Sequence, residues 1–318
     1  MTKIAFIFPG QGAQSVGMGK DIYDNYEAAR KVFDTADSVL GKRGKCITKL
    51  CFEGPEEDLK QTVNTQPCIV TTSIAMLEVL KEYLNICPPS FTAGHSLGEY
   101  CAMYTAGVMT LENTLKAIQK RADLMSEVKG GAMAAVLNAS DEVLKAGVNE
   151  GLKYGYVDVA NYNSPVQVVI TGDEIAVQKA GEYILSNGAR RVVPLAVSGA
   201  FHSKFMKNAG EKFEEFLKDL PLNNAKIPVI TNVDASETLN AEDFRAKMPK
   251  QIYSSVHWTQ SVQKMIEEGV DTFVEIGPGK VLTGLVKKIS PEVNIYNIFD
   301  KESLENTINS LKEQIIKV

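Results

Sequence analysis

Phe91-Thr92-Ala93-Gly94-His95-Ser96-Leu97-Gly98 decides how this chain is read. A short apolar run leads into G-x-S-x-G, and a helical segment follows. In that segment Leu97, Tyr100, Cys101, Tyr104 and Val108 share one face, with Gly107 near its end. Strand, glycine-flanked serine and helix is the order in which this pattern carries chemistry. The glycines allow a sharp turn that lifts the hydroxyl out of the sheet and points it at a cleft. The helix N-terminus behind it adds backbone N–H groups and a partial positive charge where an oxyanion forms. G-x-S-x-G specifies only three residues, so the flanking strand and helix are what set it apart from a chance match. Ser96 is the candidate nucleophile.

Before Ser96 the chain alternates strand and helix. Lys3–Phe8 reads as a first strand and a Gly-rich turn runs from Gly10 to Gly19. One amphipathic helix then points Ile22, Tyr26, Ala29, Phe33, Ala36 and Leu40 inward, and another covers about Pro67 to Leu84. Such alternation predicts a parallel sheet with helices on its faces. The texture changes at Gly130-Gly131. Ala132–Leu137 reads as a strand and Ser140–Glu150 as a helix capped by Ser140. Val157–Tyr162 and Val166–Thr171 read as strands joined through Asn163-Ser164-Pro165, Ile175–Leu185 as a helix and Arg190–Leu195 as a strand. That β-α-β-β-α-β order predicts a ferredoxin-like insert. The expected division is a discontinuous large α/β domain, 1–129 and 197–318, around an insert spanning 130–196, with a ligand cleft between them. Past the insert, helices are expected at about Lys204–Leu217, Val262–Glu268 and after Lys301, and strands near Val229–Thr231 and Thr272–Glu275.

Composition narrows the function. The 318 residues are 44% hydrophobic and 23% charged with a net charge of −5, an ordinary globular balance that argues against nucleic acid as the main partner. The run Ile4 to Phe8 is too short for a signal-peptide core, and no apolar stretch approaches the roughly 18 residues of a membrane span. The five cysteines (46, 51, 68, 87 and 101) form no C-x-x-C pair, so neither a disulfide framework nor a zinc site is expected and a reducing cytoplasm is the expected location.

A serine hydroxyl needs a base. The histidines are His95, His202 and His257. His95 adjoins Ser96 on a tight turn, where neighbouring side chains diverge, and supports the elbow. His257, in Val256-His257-Trp258, reads as a packed histidine beside an aromatic. His202 sits in the small-residue loop Ser198-Gly199-Ala200-Phe201-His202-Ser203 at the domain junction, and is the expected base. Nothing in the pattern names the group that orients it. In the helix after Thr110, Arg121 has Ala117, Ile118, Leu124 and Met125 at i±3 and i±4. A guanidinium on an apolar stripe is either paired internally or a bidentate clamp for a substrate carboxylate. Pro9-Gly10-Gln11-Gly12-Ala13-Gln14-Ser15 misses G-x-G-x-x-G, because Ser15 stands where the third glycine belongs. It better suits an oxyanion hole built from the N–H groups of Gln11 and Leu97, each supplying roughly 3–4 kcal/mol. Gly277-Pro278-Gly279-Lys280 lacks the P-loop pattern and reads as a tight turn after a strand.

Together with Ala160-Asn161-Tyr162-Asn163-Ser164-Pro165, these motifs resemble, in matching order over nearly the whole chain, the malonyl-CoA:acyl carrier protein transacylases of fatty acid synthesis. The resemblance implies an α/β-hydrolase-like large domain with a ferredoxin-like insert. It implies ping-pong transfer of malonyl from malonyl-CoA to the phosphopantetheine thiol of holo acyl carrier protein, through a malonyl ester of Ser96. In that scheme His202 is the base, Gln11 and Leu97 form the oxyanion hole, and Arg121 binds the malonyl carboxylate. Gln251 matches the residue whose backbone carbonyl orients the histidine, and Phe201 a position that disfavours an α-methyl branch. No metal or bound cofactor is implied. The partners are the carrier protein and the coenzyme A thioester, Arg190-Arg191 and Lys287-Lys288 are candidate contacts for an acidic carrier, and a monomer is expected. The rivals are a serine esterase or thioesterase of the α/β-hydrolase type, whose catalytic histidine comes late in the chain, and a nucleotide-binding protein using the Gly-rich turn.

Overall fold

Ile4–Phe8 is apolar at every position, the mark of a strand covered on both faces, and forms the buried centre of a parallel sheet. The computed structural model describes residues 2–41, 46–83, 88–197 and 199–316, so Leu84, Cys87 and Ser198 lie outside the described residues. In chain order the strands are β1 (Ile4–Phe8), β2 (Phe91–Gly94), β3 (Ala132–Leu137), β4 (Val157–Ser164), β5 (Gln167–Gly172) and β6 (Arg191–Pro194). They continue as β7 (Val229–Ile230), β8 (Glu237–Thr238), β9 (Thr272–Ile276) and β10 (Asn294–Ile298). One sheet has the order β10-β9-β1-β2-β7-β8, parallel except for β8, which pairs antiparallel with β7. The second has the order β4-β5-β3-β6, with antiparallel pairing throughout. The molecule is therefore mixed α/β, a largely parallel sheet beside a small antiparallel one. Among the described residues no helix is long and apolar enough to cross a membrane.

Several boundaries differ from expectation, each for a local reason. The expected helix from Ile22 to Leu40 is two helices, Lys20–Asn25 and Glu27–Leu40, because Tyr26 takes an extended conformation (φ −128°, ψ 129°). The helix expected to start at Pro67 begins at Thr62 and runs to Tyr83. Proline lacks the N–H that would bond the carbonyl four residues back. Here that carbonyl, Val63 O, instead accepts from Gln119 Nε2 at 3.3 Å. The segment Lys204–Leu217 opens with a 3-10 turn, Lys204–Met206, before its α-helix begins at Lys207. Helix Ala241–Tyr253, which carries Gln251, was not expected at all; Pro249 near its end and a weakly apolar face obscure its periodicity. Thr110 caps helix Leu111–Glu127 and Ser140 caps helix Asp141–Gly151, both as expected. The Gly277–Lys280 turn follows β9, and the buried Glu275 carboxylate accepts the N–H groups of Leu282 and Thr283 just beyond it.

Two close approaches press the end of β1 against the serine turn. A Cβ on Gly98 would stand 2.2 Å from Phe8 O, and one on Gly10 would stand 2.8 Å from His95 O. Only glycine permits either contact. The small sheet is stitched to the same region. Tyr162 N donates to Val256 O at 2.9 Å, Val256 N to Ala160 O at 2.8 Å, and Ser255 Oγ to Val159 O at 2.6 Å. These bonds anchor the stretch following Gln251 and so help define where the site residues meet.

Candidate active site

Ser96 sits between β2 and helix Gly98–Thr105 with φ 51°, and His202 has φ 54°. Both are in the left-handed region that side chains other than glycine rarely adopt, and such strain concentrates at functional sites. Separated by 106 positions in sequence, the two side chains meet. Ser96 Oγ lies 2.8 Å from His202 Nε2. His202 Nδ1 faces two carbonyl oxygens, Gln251 O at 2.9 Å and Ser254 O at 3.1 Å. Carbonyls only accept, so Nδ1 carries the proton and the Nε2 lone pair is left for the serine O–H. Among the described residues no carboxylate is hydrogen-bonded to this imidazole.

His202 is buried, and its pKa is pushed down to about 3, first by loss of solvent and then by the nearby Arg121 charge and by His95. A histidine depressed in the folded state is neutral where an unfolded one begins to protonate. Its contribution to stability is complete above the unfolded value of about 6.5 and is lost as pH falls from there toward 3. Two results are expected. No loss of kcat/KM attributable to His202 occurs between pH 7 and 5, and unfolding free energy drops by on the order of 1–2 kcal/mol between pH 6.5 and 5. Replacing His202 with glutamine should remove that part of the stability loss; urea titrations at the two pH values measure it.

Arg121 is fully buried. Its Nη1 donates to Gln66 Oε1 at 2.7 Å, and its Nη2 donates to Ser96 Oγ at 2.9 Å and Gln251 Oε1 at 3.0 Å. Tyr100 lies beside the guanidinium, 5.7 Å from ring centre to Cζ, and Arg121 Nε has no hydrogen-bond partner among the described residues. Every acceptor it meets is a neutral oxygen, so its charge has no carboxylate bonded to it. A buried cation in that condition is an anion site in waiting. Of the two readings of Arg121, internal pairing is met by neutral hydrogen-bond partners only, and its Nη2 also reaches the Ser96 hydroxyl.

Helix Gly98–Thr105 opens at Leu97, which is 1% exposed and stands directly behind Ser96. Gln11 begins the turn after β1, and its side chain donates to Thr62 Oγ1 at 3.3 Å. Among the described residues no backbone acceptor takes the N–H of Gln11 or of Leu97. A cavity of about 420 Å³ lies beside this turn, with Gln11, Lys60, Thr62, Val63, Ser126 and Lys129 in its wall. Phe201 is 6% exposed, and its carbonyl accepts from Thr171 Oγ1 at 3.0 Å. His95 Nε2 lies 2.8 Å from Asn163 Oδ1, which ties the serine turn to β4. His257 is packed as expected, though stacked on Tyr162 (ring centres 5.2 Å apart, planes 9° from parallel) rather than on Trp258. Cys51, Cys68 and Cys101 are buried thiols, and Cys46 is exposed.

Three residues at the site were not singled out from sequence. Gln66 holds Arg121. Glu99 and Asn232 hold the serine turn: Asn232 N donates to Glu99 Oε2 at 2.6 Å, Asn232 Oδ1 accepts from Ser96 N at 2.8 Å, and Asn232 Nδ2 donates to Gly94 O at 2.7 Å. Glu99 was visible as the one charge in the otherwise uncharged run Leu97–Met103. Asn232 had only its place two residues past a short strand to mark it.

A sequence profile of the acyl transferase domain matches residues 5–298. The malonyl CoA-acyl carrier protein transacylase of Bacillus subtilis (strain 168) is 45% identical over 318 residues, covering 99% of each chain. The crystal structure of the enzyme of that name from Clostridium perfringens superposes with a TM-score of 0.93 at 39% identity, covering 99% of both chains. A malonyl-transacylase in complex with its type II PKS acyl-carrier protein gives a TM-score of 0.93 at 36% identity, covering 97% of this chain and all of that one. The chain belongs to the acyl transferase family, and within it to the group whose members are named malonyl CoA-acyl carrier protein transacylase. It is an acyltransferase.

Proposed function

We propose that this enzyme transfers malonyl from malonyl-CoA to the phosphopantetheine thiol of holo acyl carrier protein, supplying extender units for fatty acid synthesis. The observation that carries the proposal is the 2.9 Å contact of a fully buried guanidinium with the same oxygen that faces the His202 imidazole. A hydrolase acting on neutral esters has no use for such a cation. An acyl group ending in a carboxylate does.

The cycle runs as a ping-pong reaction. His202 Nε2 takes the proton of Ser96 while Oγ attacks the thioester carbonyl, and the N–H groups of Gln11 and Leu97 receive the developing oxyanion. The carbon–sulfur bond breaks, the proton passes from His202 to the departing thiolate, and a malonyl ester of Ser96 remains. Arg121 grips its free carboxylate. The phosphopantetheine thiol then gives its proton to His202 and attacks the ester, and the proton returns to Ser96 Oγ as the product thioester leaves. Gln251 supports the base through its backbone carbonyl, and Phe201 narrows the space beside the acyl α-carbon. The cavity beside Gln11 is the candidate route for the pantetheine arm; Lys129 and Lys60 stand in its wall, although Lys60 is already paired with Glu56 at 2.7 Å. No metal or bound cofactor takes part in this scheme.

The two sheets fit a large α/β-hydrolase-like domain, 1–129 and 197–318, with a ferredoxin-like insert at 130–196, and the strand order of the small sheet supports the latter. Arg190, Arg191, Lys287 and Lys288 are exposed and remain candidates for contact with an acidic carrier. The deciding experiment supplies malonyl-CoA with and without holo carrier protein. Rapid formation of malonyl-carrier with slow hydrolysis in its absence is expected, and fast hydrolysis with no transfer would make the protein a thioesterase.

A further inference from the structure

The end of β2 is held by a side chain that mimics a strand. β2 and β7 pair in parallel through Thr92↔Val229 and Ala93↔Ile230, and β7 ends there. Two residues on, the Asn232 side chain takes over. Its Nδ2 donates to Gly94 O at 2.7 Å and its Oδ1 accepts from Ser96 N at 2.8 Å, so one amide group grips the backbone on both sides of His95. The two partners, a carbonyl and an N–H, dictate which end of the amide is which. Asn232 is itself immobilised. It is fully buried, its N–H donates to Glu99 Oε2 at 2.6 Å, and its carbonyl accepts from His257 N at 3.0 Å. Gln251 Nε2 completes the ring by donating to Ser96 O at 2.8 Å.

We infer that Asn232, braced by Glu99, is a positioning residue that holds Ser96 in its left-handed conformation so that Oγ falls between His202 Nε2 and Arg121 Nη2. An ordinary residue at φ 51° relaxes unless its surroundings over-determine it, and the Asn232 amide grips both ends of the turn that would relax. Asn232 touches no reacting atom. Its action is on the aim of the hydroxyl, and a small error of aim is costly in rate while leaving binding of the thioester intact.

The inference rests on Ser96 being the nucleophile, and the test separates the two ideas. Single-turnover acylation of Ser96 by malonyl-CoA is followed by quenching and intact-mass spectrometry across substrate concentration. Asn232→Ala is expected to slow acylation about 10- to 100-fold, with the half-saturating concentration within about twofold of wild type. Asn232→Asp supplies a signature that simple loss of stability does not. Ionised, the new carboxyl sets an oxygen against Gly94 O; protonated, it donates there as the amide does. Its acylation rate relative to wild type therefore rises as pH falls from 8 to 5.5. The groups around it that also carry or change charge are Glu99, Arg121, His202, His95, His257, Asp234 and Lys247, and taking the ratio to wild type at each pH cancels their common effect. Wild-type acylation with an undiminished rate in Asn232→Ala overturns the inference. So does a rate ratio for Asn232→Asp that is flat with pH, which decides the matter even if the alanine variant fails to fold. Absence of any adduct on wild-type Ser96 overturns instead the functional reading beneath it.

Discussion

Replacing Ser96 with alanine is expected to eliminate the covalent malonyl adduct and to lower malonyl transfer by on the order of 10^4- to 10^6-fold, the loss seen when a serine nucleophile is removed from a catalytic unit. The fold should tolerate the change. The Ser96 backbone stays bonded to Asn232 through its N–H and to Gln251 through its carbonyl, and Arg121 Nη2 keeps Gln251 Oε1 as an acceptor. Only the hydroxyl is lost, together with its contacts to His202 and Arg121. Intact-mass spectrometry after incubation with malonyl-CoA gives the answer directly. An adduct that persists in the alanine variant would place the nucleophile elsewhere, since no second serine stands between an imidazole and a guanidinium among the described residues.

Truncating Arg121 to alanine is expected to cost malonyl transfer roughly 2–5 kcal/mol, the usual penalty for stranding one member of a buried charge pair. That is about 30- to 5,000-fold in kcat/KM. Transfer of acetyl, which has no terminal carboxylate, should suffer much less. Two further consequences follow from the geometry. Gln66 Oε1 and Gln251 Oε1 lose their donor, so some loss of stability accompanies the loss of activity. Arg121 is also one of the charges that hold His202 low, so the basicity of His202 should rise and the acid limb of the rate profile should move to higher pH. Arg121→Lys should fall between wild type and alanine, because an ammonium cannot offer a planar fork to a carboxylate while holding two glutamines. Equal losses for malonyl and acetyl would make Arg121 structural, and comparing the two acyl-CoA substrates at several pH values measures all of this.

Much of this site could be read from the chain because its parts carry local signatures. Gly94 and Gly98 around Ser96, a strand before and a helix after, are a pattern within eight residues. Arg121 betrayed itself by apolar neighbours at helical spacing, and His202 by elimination among three histidines. Gln251 is a different case. Its helix, Ala241–Tyr253, has little amphipathic periodicity, so only the family resemblance pointed to the residue, and its side-chain bonds to Ser96 O and Arg121 were invisible in the sequence. Asn232 and Gln66 lacked even that signal. Both are polar residues tied into the arrangement by partners 136 and 55 positions away.

The helix boundaries show the same division. Thr110 and Ser140 announce their helices because a cap bonds to N–H groups three residues on. Thr62 as the start of a long helix was hidden, because the Pro67 that suggests a beginning is accommodated by Gln119 from a neighbouring helix. The break at Tyr26 was hidden as well, since the burial pattern continues across it. Sequence alone determined the elements whose causes lie within a few residues: the alternation of strands and helices, the serine turn, the caps, and the chemical types of the candidate nucleophile, base and cation. Tertiary structure alone decided their distances and protonation. The pairing of Ser96 with His202, the neutral imidazole and a guanidinium hydrogen-bonded only to neutral oxygens arise from burial and from bonds between remote segments, and no local pattern encodes solvent exclusion.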